Sequence, residues 1–242
     1  MRRKNLVRAA GLAGVLASAA YVVGDVLLLG RKVEPAAHPA LVAIDGVDEP
    51  VLSMVPSSTA RLTAGALAGV YATPLYLAAV WHLHEGLAPA GPRRALPPAL
   101  ILAGAWTWAS FVHGSFFHTG QSYKDLEELA DDARARERLL ATATAFERAT
   151  ISAYVPFGAA VVVASALIVD AVRRGDTAYP RWSGPIVAPL APIAAATALT
   201  ASHVLPGPAR HALQGAGISL GNLVSLGAST VLLWRDRRSG HR

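Results

Sequence analysis

Six runs of about 20 mostly apolar residues, each bounded by charged, proline or glycine-rich segments, leave this chain few ways to fold. At ~1.5 Å per residue, a helix needs about 20 such residues to cross a hydrocarbon layer ~30 Å thick. Inside that layer every backbone N–H and C=O must be satisfied within the segment, so runs of this kind are helical. The expected spans are about residues 7–29, 62–83, 96–118, 149–172, 182–205 and 212–234, with longer loops at 30–61 and 119–148. They predict one all-α integral membrane domain over residues 1–242. Composition agrees: 16% of the 242 residues are charged, where a soluble domain carries about 25%. The chain has no cysteine, which excludes a disulfide framework, a thiolate metal site and a cysteine nucleophile.

The net charge of +6 points to topology, not to nucleic acid, because the arginines flank the apolar runs. Arg2, Arg3, Lys4 and Arg8; Arg93 and Arg94; Arg173, Arg174 and Arg181; and Arg235, Arg237, Arg238 and Arg242 fall on one set of loops. The acidic stretches at 34–49 and 125–137 fall on the other. Six crossings with both termini in the cytoplasm then satisfy the positive-inside rule. The Ala- and Arg-rich, Lys-poor composition suggests a high-GC bacterium, and so a multi-pass protein of the bacterial cytoplasmic (inner) membrane. The basic start MRRKNLVR and the small residues Ala17-Ser18-Ala19 resemble a signal peptide, but the apolar run continues through YVVGDVLLLG. Since a signal h-region spans only about 7–15 residues, a retained first helix is expected.

Between the spans, Leu126, Leu129, Ala133 and Leu140 recur at helical spacing among charges. That pattern predicts an amphipathic helix outside the membrane, either a connector on the headgroups or a lid. Pro185, Pro189 and Pro192 are expected to kink the fifth span, because each removes a backbone donor. Trp81, His82, His84 and Glu85 suit an interfacial anchor, and the Gly217–Gly221 pair suits close helix packing.

Ionisable groups inside a membrane are costly, so they mark candidate sites. On the third span, Trp106, Ser110, His113 and Phe117 follow one another at steps of four, three and four and share a face. His118 points elsewhere. On the first, Ser18, Tyr21 and Asp25 share a face, and on the sixth so do Ser219, Asn222, Ser225 and Ser229. Compared by depth, Asp25, His113, Tyr154 and His203, with Glu147 at the mouth, gather in the outer half of the membrane, while Asn222 lies deeper. A carboxyl removed from water favours its proton-carrying form, so Asp25 is the expected proton donor and His113 its partner or base. Glu147 and His203 complete the catalytic candidates; Tyr21, Trp106, Ser110, Phe117, His118, Tyr154 and Asn222 are the expected substrate-binding residues. No H-x-x-x-H or H-E-x-x-H pair occurs, so no metal or other cofactor is expected; a metal would require Asp25, His113 and His203 to converge from three helices.

Gly24-Asp25 followed by VLLLG, together with HGSFFHTG (His113, Gly114, Phe116, Gly120), resembles a family of bacterial six-helix membrane proteins of unknown function. A looser resemblance, of architecture alone, is to small integral-membrane isomerases and cyclases of sterols and terpenoids. The expectation is a membrane-embedded acid–base enzyme acting on a lipophilic, isoprenoid- or lipid-like molecule, with membrane lipid around it and no nucleic-acid partner. The alternatives are a proton-coupled transporter or small-molecule binder, and a structural protein whose polar residues only join helices.

Overall fold

The computed structural model describes residues 2–44, 47, 49–129 and 131–235. Asp45 and Asp48 of the acidic loop, and the tail from 236 with Arg237, Arg238 and Arg242, lie outside the described residues. Regular structure among the described residues is entirely helical. Its α-helices are α1 (Arg2–Leu29), α2 (Pro39–Val42), α3 (Glu49–Met54), α4 (Thr59–Leu87), α5 (Pro92–Glu128), α6 (Ala133–Arg174), α7 (Gly184–Val187), α8 (Leu190–Ala201), α9 (Gly207–Leu213) and α10 (Gly217–Arg235). Five are long and apolar enough to cross a membrane: α1, α4, α5, α6 and α10. A sixth span results if the bent pair α7–α8 counts as one.

The bend has a local cause. Ala188 precedes Pro189 and is extended (φ −79°, ψ 130°), the conformation that a following proline imposes. The segments on either side diverge by 52°. Such a break strands backbone groups where no water reaches, and two serines answer it. Leu190 N–H donates to Ser165 Oγ (3.1 Å) and Ser225 Oγ donates to the Val187 carbonyl (2.8 Å). Behind the break α8 lies so close to α10 that a Cβ on Gly221 would stand 2.3 Å from the Ile193 Cα.

The segment 119–148 is not a loop carrying a separate helix. Helix α5 continues to Glu128, and α6 starts at Ala133, where the Asp132 carboxylate accepts the Arg134 and Ala135 N–H groups (3.1 and 3.0 Å). No glycine or proline falls between 121 and 147, so nothing in the chain stops either helix. With 37 and 42 residues, α5 and α6 are about 55 and 63 Å long, well beyond a ~30 Å hydrocarbon layer. The projecting hairpin buries Tyr123, Leu126 and Ala143 against Leu41, Leu52, Met54 and Val55, a cap built by the 31–58 segment. His38 pairs with Glu127, and Arg136 donates to the Ala40 carbonyl (3.0 Å), fastening the cap to the hairpin.

At the opposite end Arg3 pairs with Glu85 (2.9 Å), Arg94 with Asp176 (3.1 Å), and the Arg8 guanidinium lies 5.6 Å from the Trp234 ring centre. The start of α1 and the end of α10 are therefore at one end of the bundle. Trp81 is exposed, as an anchor would be, whereas His82 departs from that expectation. It is fully buried, and its Nδ1 lies 2.8 Å from the Val7 carbonyl, because Gly11 opens a gap in α1 that the ring fills.

Candidate functional site

In the half of the bundle nearer the hairpin, α1, α4, α5, α6 and α10 enclose a cavity of about 50 Å³. Asp25 and His113 stand on its wall, with His113 Nε2 3.2 Å from Asp25 Oδ1. The contact is close but not aligned as a hydrogen bond, and Nε2 has no other partner. The other ring nitrogen, Nδ1, lies 3.3 Å from the Ala66 carbonyl. A carbonyl only accepts, so Nδ1 carries a proton. Nε2 is therefore the ring nitrogen left to face the Asp25 carboxyl. Asp25 and His113 form a close, buried carboxyl–imidazole pair.

The imidazole is held in a slot. A Cβ on Gly24 would stand 2.6 Å from His113 Cε1, and one on Gly69 would stand 2.5 Å from its Cγ and Nδ1. Two glycines on α1 and α4 thus leave the width of one ring between the helices. The Tyr21 ring meets His113 edge-on at 4.8 Å, Tyr76 lies 5.0 Å from Tyr21, and Trp106 stacks on Tyr76 at 4.7 Å. Tyr21 Oη is bonded to Thr73 Oγ1 (3.0 Å). By contrast Trp106 Nε1 and Tyr76 Oη are buried without a hydrogen-bond partner, although Ser18 and Asn222 lie close to the Tyr76 hydroxyl. Buried polar groups are ordinarily paired. Three atoms without a hydrogen-bond partner, Trp106 Nε1, Tyr76 Oη and His113 Nε2, belong to residues that line this cavity.

Of the expected site residues, Asp25, His113, Tyr21, Trp106, Tyr154 and Asn222 line this cavity. Ser110, Phe117 and His118 do not; they line an open groove between α4 and α5, where His118 stacks on Phe146 of α6 at 5.3 Å. The reason is angular. At about 100° per residue, the cavity face of α5, which runs through Trp106, Ala109, Val112, His113 and Phe116, is centred about 75° from the arc through Trp106, Ser110 and Phe117. Glu147 also departs from the cavity: it accepts from Tyr123 Oη (3.2 Å) within the hairpin. His203 sits beyond α8 in a separate vestibule beside Arg210. The convergence of Asp25, His113 and His203 that a metal would need is therefore absent, and among the described residues no three His, Asp or Glu side chains gather to hold one.

Tyr76, Phe116 and Phe157 were missed by sequence reasoning. Tyr76 had a signal, since Gly65, Gly69, Ala72, Tyr76 and Ala79 recur on α4 at steps of four, three, four and three. That small-residue stripe marks the face that meets α1.

The apolar helices and their buried polar cavity define a multi-pass α-helical membrane protein. The chain belongs to DUF6796, a family of unknown function, whose model matches residues 1–235. No curated protein and no solved structure matches it.

Proposed function

We propose that this protein is a membrane-embedded enzyme that moves a proton on and off a lipophilic, isoprenoid- or lipid-like substrate. The observation that carries the reading is the close, buried Asp25–His113 pair facing an aromatic cavity. In the simplest reaction the pair gives its proton to one carbon of a C=C bond, leaving a carbocation on the other. The faces of Tyr21, Tyr76 and Trp106 attract that cation. Loss of a proton from the adjacent carbon to the pair forms the shifted double bond, so no co-reactant is consumed. Cyclisation uses the same first step.

At about 50 Å³ the cavity has room for about four waters at ~12 Å³ each. In this conformation only the reacting end of a chain enters, and its remainder lies along the helices. The charge pattern supports both termini in the cytoplasm, and the composition supports a bacterial cytoplasmic membrane.

The test is incubation of detergent-solubilised protein with isoprenyl lipids in deuterated water. Wild type is expected to incorporate deuterium at a carbon beside the shifted bond, and Asp25→Asn to abolish it. Equal incorporation by wild type and Asp25→Asn, or none by wild type, refutes the reading. A second reading, a proton-coupled carrier, draws on the buried Ser18, Asn222, Ser225, Ser229 and His82, which extend the polar seam from the cavity toward the opposite end. Proton-dependent uptake into proteoliposomes without chemical change favours it.

A further inference from the structure

A second space, of about 410 Å³, opens at the hairpin end between α1, α8 and α9. Its wall carries Arg210, His203, His211, Thr200 and Gln214, and it shares Gly215 with the Asp25–His113 cavity. The one full charge among its described lining residues is the Arg210 guanidinium. An Arg210 guanidinium N–H donates to His203 Nδ1, so that nitrogen is a bare acceptor and the His203 proton sits on Nε2, a remaining donor. The other guanidinium N–H groups and the His211 ring add more. Gln214 spends an amide N–H on the Leu29 carbonyl (2.8 Å), and the Thr200 hydroxyl donates to the Thr197 carbonyl (3.1 Å). No carboxylate lies among the described lining residues, and no described acid pairs with Arg210. Both Arg210 and His211 are half-buried, where a charge is less screened than on an open surface. A recess with a guanidinium fork, the His203 and His211 ring N–H groups and no described carboxylate suits a tetrahedral oxyanion. Its volume is that of a ligand pocket.

We propose that this vestibule binds the phosphate or diphosphate head of an amphipathic ligand, with the reactive part of its chain leading past Gly215. That the chain end reaches the Asp25–His113 cavity rests on the acid–base reading; phosphate binding by Arg210 does not. The shared chemistry is the phosphate group, carried by a lipid or free in solution.

Titration calorimetry in a non-ionic detergent with dodecyl phosphate, dodecanol, dodecanoate and inorganic phosphate tests it. Dodecyl phosphate is expected to bind and dodecanol to bind at least tenfold more weakly. Arg210→Gln removes a charge-assisted contact and weakens dodecyl phosphate about tenfold or more, His211→Gln weakens it less, and Arg210→Lys restores part of the loss. Competition by millimolar inorganic phosphate identifies a free-phosphate site that the chain only strengthens; no competition identifies a lipid headgroup site. Dodecanoate binding as tightly as dodecyl phosphate, or an unaltered affinity in a folded Arg210→Gln, overturns the proposal. Asp25→Asn is expected to keep dodecyl phosphate affinity within about twofold. If that holds while no lipid takes up deuterium, the vestibule stands and the acid–base reading falls.

Discussion

Replacing Gly69 by alanine adds a single methyl group, at a place where the His113 ring has nowhere to go. The new Cβ would stand 2.5 Å from Cγ and Nδ1, whereas ordinary contact begins at 3.4 Å, so the ring must retreat by about 0.9 Å. On its far side the ring already lies 2.6 Å from the position a Cβ would take on Gly24, which leaves no slack in that direction. Helix α4 must shift, or the imidazole must leave its rotamer. Overpacking of this kind costs about 1–3 kcal/mol, which at ~2–4 °C per kcal/mol lowers the melting temperature by about 2–12 °C. The effect on turnover is larger than the effect on stability, because a displacement near 1 Å at a reacting group costs on the order of 100-fold. Gly104→Ala is the control, since nothing lies within 4 Å of a Cβ there; its stability should equal or slightly exceed wild type. The assays are thermal unfolding in detergent and deuterium incorporation into added isoprenyl lipids, each run on all three proteins. A Gly69→Ala protein that matches wild type in both refutes the slot as the device that fixes His113.

Two further outcomes concern structure. Ser225→Ala leaves the Val187 carbonyl without its donor at the α7–α8 break and is expected to lower stability by about 1–3 kcal/mol, read as a fall in melting temperature without loss of dodecyl phosphate binding. Asp132→Ala removes the cap from the start of α6; a loss of about 0.5–2 kcal/mol should come with faster amide exchange at residues 133–136 and unchanged exchange near His113.

The spans were legible because hydrocarbon imposes a length and a polarity that few other environments do. Asp25 and His113 were legible for the same reason, as costly groups at matching depth on α1 and α5. The extent of α5 and α6 was not, because a charged segment such as 121–147 reads alike whether it lies on headgroups or stands free, and only the burial of Tyr123 and Leu126 under the cap distinguishes them. Ser110 and Phe117 fall in the α4–α5 groove and not in the cavity because an arc on a helical wheel has no fixed zero. The neighbours decide which side of Trp106 faces inward, and Gly24 and Gly69, which set that neighbourhood, carry no side chain to advertise it. His203 and Glu147 lie away from the cavity, on segments whose direction depends on the 52° bend and on the hairpin.

Because α5 is continuous from Pro92 to Glu128, the helix that carries Trp106 and His113 is also the helix that meets the cap at Glu127. A straight helix transmits torsion along its length. A side-chain tip sits ~5–6 Å off the helix axis, so a turn of about 10° at the hairpin swings it by about 1 Å. That is the scale of misplacement that uncouples a proton donor from its target. Anything that grips the exposed hairpin therefore holds a lever on the buried histidine, the hairpin tip and the Asp25–His113 pair being two ends of one shaft.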